Sequence, residues 1–173
     1  MCAFLAAQRG ARSTYAELPV ARVARLLHVD RSVEVGTGAS DFALGRAALA
    51  RWAQYPSPWT TVISDHTPPE VGDATCARVA HAGFWSLLAC RVTRIDDQPG
   101  RYALTIETLE SHAEIGAETF SLVLDSDGSV RYRIESRSGA RHPLVRLGLP
   151  VMRHYQRRFL AESPRALRAA MRG

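Results

Sequence analysis

The sequence predicts an α+β fold, a curved antiparallel sheet wrapped around a long C-terminal helix, with an N-terminal helical segment. Three observations carry this. An amphipathic pattern of helical period precedes Pro56. Six short β-rich runs follow, spaced too closely for helical crossovers. The chain then closes with an apolar stripe at spacings of three and four. A sheet followed by such a helix must bury one face, and curving around the helix does so economically. Folds built this way often leave a cavity between sheet and helix, walled by apolar side chains with scattered polar groups.

Residues 1–40 carry the weakest pattern. Residues 17–27 have partial helical spacing that Pro19 interrupts, so 1–40 is read as an extension before a core at 41–173, all within one domain. Gly36-Thr37-Gly38 breaks the chain, and Ser40 or Asp41 supplies a helix cap. Over residues 41–54, Phe42, Leu44, Leu49 and Trp52 recur at helical spacing, and the helix must end before Pro56. Strands are expected at 59–64, 73–81, 84–95, 102–109, 116–124 and 130–137. Ala82-Gly83, residues 96–100 and Asp125-Ser126-Asp127-Gly128 supply turns, giving a continuous six-stranded meander. The last stripe is Leu144, Leu147, Val151, Met152, Tyr155, Phe159 and Leu160. Pro143 suits its first turn, Pro150 should kink or restart it, and Pro164 should begin a final short helix.

Composition narrows the class. At 173 residues, 46% hydrophobic and 23% charged, the chain can bury a core without staples. No apolar run approaches the roughly 18 residues of a spanning helix. Three cysteines without CxxC spacing argue against a zinc cage or a disulfide framework, and fit a reducing cytoplasm. All 22 basic residues are arginine. Residues 141–173 hold eight of them against one acid, Glu162, so the net charge of +5 belongs to the C-terminal segment. That segment reads as a solvated helix face, or as a surface for an anionic partner. It lacks interleaved exposed aromatics, so nucleic acid is not an expected partner. Oligomeric state is not legible.

Several motifs carry a family resemblance. Glu107-Thr108-Leu109 followed by His112-Ala113-Glu114-Ile115-Gly116-Ala117-Glu118-Thr119-Phe120 resembles the signature Gly-Thr-Leu, then His-x-Glu-x-Gly-Glu-Glu-x-Phe. That signature belongs to an uncharacterised bacterial and plant family, the domain of unknown function numbered nineteen-ninety. Phe84-Trp85-Ser86-Leu87-Leu88-Ala89-Cys90-Arg91 resembles its second signature. Thr14-Tyr15-Ala16-Glu17, Glu70-Val71-Gly72 and His142-Pro143-Leu144 agree as well, so the resemblance covers roughly residues 14–172. It implies a START-like, helix-grip fold, a group that includes polyketide cyclases and plant ligand carriers. The chain departs at Leu88, where Asn is expected, at Glu107 for Gly, and at Ala117 for the first Glu of the pair.

Candidate site residues follow from parity. In an extended chain His112, Glu114, Gly116, Glu118 and Phe120 share one face. A histidine with two carboxylates can do acid–base work in a low-dielectric cavity, hold a divalent metal, or satisfy a turn and pair with arginine. His112, Glu114 and Glu118 are the catalytic candidates, and no metal is assigned to them. Trp85, Leu87, Ala89 and Arg91 alternate on the longest strand; Trp85 and Arg91 are ligand-binding candidates. Arg91 would equally form a structural ion pair with Glu114 or Glu118. His81, Tyr132 and Tyr155 complete the ligand-binding set. Cys90 falls on the opposite face and reads as a packed residue. No GxSxG, P-loop, dinucleotide fingerprint or HExxH is present, and no cofactor is expected. The leading function is binding of an apolar small molecule between sheet and helix. A cofactor-free cyclase, dehydratase or isomerase of specialised metabolism is the alternative, and anionic-surface or partner binding through the arginine-rich helix the third.

Overall fold

The computed structural model describes residues 1–81, 83–141 and 149–173, with Leu149 described by its backbone alone. Its elements are α1 (Cys2–Gln8), α2 (Val20–Val23), β1 (Leu27–Thr37), α3 (Gly38–Leu49), β2 (Thr60–Ser64), β3 (Ala74–His81), β4 (Phe84–Gln98), β5 (Arg101–Thr108), β6 (Glu114–Leu124), β7 (Ser129–Ala140) and α4 (Leu149–Arg172). The seven strands form one antiparallel sheet in the order β1-β7-β6-β5-β4-β3-β2. The sheet curves around α4, as the sequence predicts.

The six expected strands form the meander. The seventh, β1, comes from the stretch read as an extension and pairs with β7 at the sheet edge. Its apolar residues alternate, but Arg31 interrupts the row and only Val35 is buried. An edge strand with so little to bury writes a faint pattern.

Helix α3 starts at Gly38, and Asp41 acts from its first turn rather than as the cap. Its carboxylate accepts the Thr37 N–H at 2.7 Å and complements the helix dipole. The helix also stops five residues before Gln54. Trp52 adopts a left-handed backbone (φ 61°), and the Ala53 N–H turns back to the Ala48 carbonyl. That turn buries the Trp52 ring and brings Tyr55 against the core.

Helix α4 runs unbroken through Pro164, so no separate final helix forms. Proline removes the N–H that would bond the Leu160 carbonyl. The packing of Leu167 and Met171 into the core on the far side holds the helix together. Pro150 sits in the first turn of α4, where a missing N–H breaks no helical bond. Leu144, Leu147, Pro143 and Ala82 lie outside the described residues.

The inner face of the sheet changes character along each strand. Tyr102 and Leu104 on β5, Leu122 and Phe120 on β6, and Val130, Tyr132 and Ile134 on β7 are large and buried against α3 and the C-terminal half of α4. Further along the same rows stand Thr108, then Glu118, Gly116 and Glu114, then Ser136 and Ser138. Small and polar side chains cannot span the distance to the helix, so the core gives way to a cavity. Gly116 is required there. A Cβ there would collide with the Arg137 carbonyl oxygen.

The N-terminal segment covers the β2–β4 part of the outer face. Leu5 of α1 packs on Ala74 and Cys76 of β3, with Phe4, Ile63 and Leu87 around them. No helix among the described residues is long and apolar enough to cross a membrane.

Candidate functional site

The cavity between the sheet and the first half of α4 has a volume of about 540 Å³. Its apolar wall includes Val79, Leu88 and Ile106 from the sheet, with Met152, Phe159 and Leu160 from α4. Leu88, from the inner face of β4, adds an apolar side chain to this wall.

Three titratable groups from one stretch reach this space. His112, Glu114 and Glu118 all line it. β6 keeps an unbroken register with β7 from Glu114 and with β5 from Ala117, so Glu114, Gly116 and Glu118 stay on the inner face. Glu118 stands between Ile106 of β5 and Ser136 of β7. Among the described residues no hydrogen-bond donor or cation reaches its carboxyl. Burial pushes its pKa up to about 8, and the Glu114 charge adds to the rise. Glu118 is therefore mostly protonated at neutral pH.

Glu114 differs because it has partners. The Gln156 amide on α4 donates to its Oε1 at 2.9 Å and also approaches the Ser138 hydroxyl at 3.4 Å. Burial raises Glu114 to about 6, while hydrogen bonds from Gln156 and Ser138 limit the rise. Its carboxylate is largely ionised at pH 7. His112 is buried, and burial lowers its pKa to about 4. Its Nδ1 accepts the Glu114 N–H at 2.9 Å, so the neutral ring carries its proton on Nε2. One neutral acid and one carboxylate on the same strand face, with environments that set their pKa values apart, form an acid–base arrangement. Among the described residues no group of three His, Cys, Asp or Glu side chains converges as a metal site would require.

Two other predicted residues meet here. Tyr155 on α4 packs against the rings of Trp59 (5.8 Å between centroids) and His81 (5.5 Å). His81 takes a 3.0 Å hydrogen bond with the Ser86 hydroxyl. Three predicted residues are not brought to the cavity. Trp85 is 62% exposed on the outer face. Tyr132 is fully buried in the core, its hydroxyl 2.9 Å from that of Ser163. Arg91 also faces outward, and pairs with neither Glu114 nor Glu118. Its guanidinium donates to the carbonyls of Gln8, Arg9, Ala11 and Gly72. Alternation groups the residues of β4 correctly without saying which face is inner; Ser86, Leu88 and Cys90 hold that position. Burial lifts the Cys90 thiol far above its ordinary pKa, which leaves it a poor nucleophile.

Arg91 is thus the clamp of the N-terminal segment. Arg91→Ala should cost about 2 kcal/mol, since hydrogen bonds to a charged group are lost. Hydrogen exchange should quicken over residues 1–12.

Sequence reasoning missed Tyr55, Trp59 and Gln156. Tyr55 lines the cavity near Glu118, and burial first, then the Glu118 charge, hold its phenol well above its ordinary pKa. The Trp59 indole donates to Glu162 at 2.7 Å, and Arg158 both lies over that ring and donates to Glu162. Arg168 is tied to the Glu34 carbonyl, so part of the arginine-rich segment is structural. No local pattern marks these residues, because each acts through a partner distant in the chain.

The comparisons with known proteins agree with this architecture. The family model described as domain of unknown function (DUF1990) matches residues 8–166. A UPF0548 protein of Arabidopsis thaliana is 32% identical over 141 residues, covering 78% of this chain and 68% of that protein. One from Dictyostelium discoideum is 31% identical over 143 residues, 76% of this chain and 66% of that protein. This chain thus spans about two thirds of those two relatives. One from Deinococcus radiodurans is 32% identical over 175 residues, 91% and 87%. Relatives therefore occur in a plant, in Dictyostelium and in a bacterium. Among solved structures, Ara h 8.0201 superposes with TM-score 0.54 at 10% identity, over 84% of this chain and 97% of that one. A norcoclaurine synthase of Thalictrum flavum, in complex with dopamine and hydroxybenzaldehyde, gives TM-score 0.52 at 11% identity, over 85% and 90%. At such identities the likeness shows a shared helix-grip fold alone. The match across residues 8–166 and the relatives above 30% identity establish that the chain belongs to the DUF1990 family.

Proposed function

We propose that the protein binds an apolar small molecule in the cavity between the sheet and α4. The observation that carries this is the cavity itself, about 540 Å³ with a predominantly apolar wall. That volume falls within the roughly 300–1,000 Å³ usual for small-molecule sites. The norcoclaurine synthase solved with dopamine and hydroxybenzaldehyde supports the reading as a precedent for small aromatic molecules in this fold.

The test uses N-phenyl-1-naphthylamine, a neutral apolar dye that brightens on leaving water. The wild type should show saturable one-site binding. Ala77 is buried on β3 and lines the cavity. Ala77→Phe should fill part of that space and weaken the dye at least tenfold. Equal binding by variant and wild type would place the dye elsewhere and count against the reading.

The carboxyl of Glu118, unpartnered among the described residues, favours a second reading, cofactor-free acid–base catalysis. Glu114 as carboxylate would remove a proton next to a ligand carbonyl. Protonated Glu118 would donate to the developing oxyanion, with the Tyr55 phenol and the His112 Nε2–H as further donors. A pure carrier has no need of a strand face that separates an acid from a base. For a molecule that co-purifies and is turned over, Glu114→Gln and Glu118→Gln should each slow turnover by about 10²–10⁴-fold with little change in binding. Loss of binding with turnover otherwise intact would assign these carboxyls to recognition.

A further inference from the structure

A second pocket of about 650 Å³ adjoins the cavity, and four residues border both: Glu114, Ser138, Met152 and Gln156. The Gln156–Glu114 hydrogen bond lies on the boundary. The character of the wall changes across it. Beyond it stand Arg22 on α2, Arg25 two residues past its end, and Arg153 on α4. These arginines come from two ends of the chain and meet only because β1 pairs with β7 and α4 returns over the sheet.

Like most arginines among the described residues, these three form no ion pair; what distinguishes them is that they line one concavity. Among the described residues Arg9, Arg12, Arg46, Arg101, Arg131, Arg133 and Arg158 each reach a carboxylate within 4 Å. Arg22, Arg25 and Arg153 reach none among those residues, and residues 142–148 contain no acid. Glu114 is the one acid on the pocket wall, and its Oε1 is already engaged by Gln156. Three guanidinium groups around a concavity form a local excess of positive charge. Their planar forks match the oxygens of a carboxylate, sulfonate or phosphate.

We propose that this pocket is the anion subsite of the ligand cavity, so that the ligand is an amphipathic organic acid. Its apolar body lies against Leu88 and Leu160, and its anionic group between Arg22, Arg25 and Arg153. The inference rests on the binding reading above, and sharpens it from apolar molecules in general to apolar molecules with one acidic end.

Two dyes of the same skeleton separate the claims. 8-Anilinonaphthalene-1-sulfonate is N-phenyl-1-naphthylamine with a sulfonate added. At low salt the wild type should bind the sulfonate at least fivefold more tightly than the neutral dye. The triple variant Arg22→Gln, Arg25→Gln, Arg153→Gln should lose that preference and keep its affinity for the neutral dye. All three arginines are exposed, so the variant should fold. Arg51→Gln, at an exposed arginine outside both pockets, should change neither affinity. Raising NaCl to 0.5 M should erode the wild-type preference, because exposed charges are screened. Equal affinity of the wild type for both dyes, or a triple variant that keeps the preference, would overturn the anion subsite while leaving the cavity reading intact. Failure of the neutral dye to bind at all would overturn both.

Discussion

Glu118→Gln is expected to gain stability relative to the wild type as pH rises. The sign follows from linkage. The folded-state pKa is about 8 against 4.5 for the unperturbed group, so between these values the folded protein keeps a proton that the unfolded chain has released. Stability then falls as pH rises through that window and levels off above it. Glu114, raised to about 6, slopes the same way up to that pH. His112, lowered to about 4 from 6.5, slopes the opposite way, since its folded form resists protonation. From pH 6.5 to 8 Glu118 dominates among these three. The gap between variant and wild type should widen there by about 2 kcal/mol, and over the whole window from pH 4.5 by roughly 3–5 kcal/mol. Urea denaturation at a series of pH values measures it. Parallel profiles for the two proteins would mean that Glu118 is solvated or paired. A carboxyl whose burial destabilises the fold, facing a cavity, supports the proposed acid–base reading.

Phe120→Ala is expected to cost about 3–5 kcal/mol, the usual range for deleting a fully buried phenylalanine. Phe120 is fully buried. It makes ring contacts with Tyr55 at 5.9 Å and Phe159 at 6.2 Å, and those two rings touch at 5.2 Å. This trio joins the sheet, the turn after α3 and helix α4. It also stands where the core ends and the cavity begins, next to Glu118 on the same strand face. The deletion should therefore extend the cavity into the core and permit larger ligands. Denaturant midpoints give the first effect, and dye titrations with a longer aromatic homologue give the second. A loss under 1 kcal/mol would show that the trio does not tie the helix to the sheet.

Much of the architecture is legible in the sequence, for physical reasons that can be named. The meander shows because β4 to β7 bury one face, and burial imposes alternation. The stripe of α4 shows because one side faces the core and cavity. What stays hidden depends on partners distant in the chain. Strand β1 buries little and alternates weakly. The end of α3 turns on a left-handed backbone at Trp52, a residue type that gives no such signal. Pro164 looks like a helix break because its packing lies elsewhere in the sequence.

The candidate site divides in the same way. Glu114 and Glu118 are readable, since an unbroken strand keeps its parity, whereas His112 lies in the turn before β6 and reaches the cavity from there. Arg91 and Trp85 are grouped with the right neighbours on the outer face instead. The inner face follows from pairing with β3 and β5, which one strand's pattern does not contain. Tyr132 alternates as a wall residue should, and its position along the strand puts it in the filled part of the core.

The most direct test of ligand binding in this cavity is methyl NMR of the wild type, titrated with N-phenyl-1-naphthylamine. Shifts should concentrate at Val79, Leu88, Ile106 and Leu160, which line the cavity. Leu5 and Leu87, packed on the outer face beneath α1, should not move. Shifts at those outer methyls, or none anywhere at saturating dye, would contradict the account.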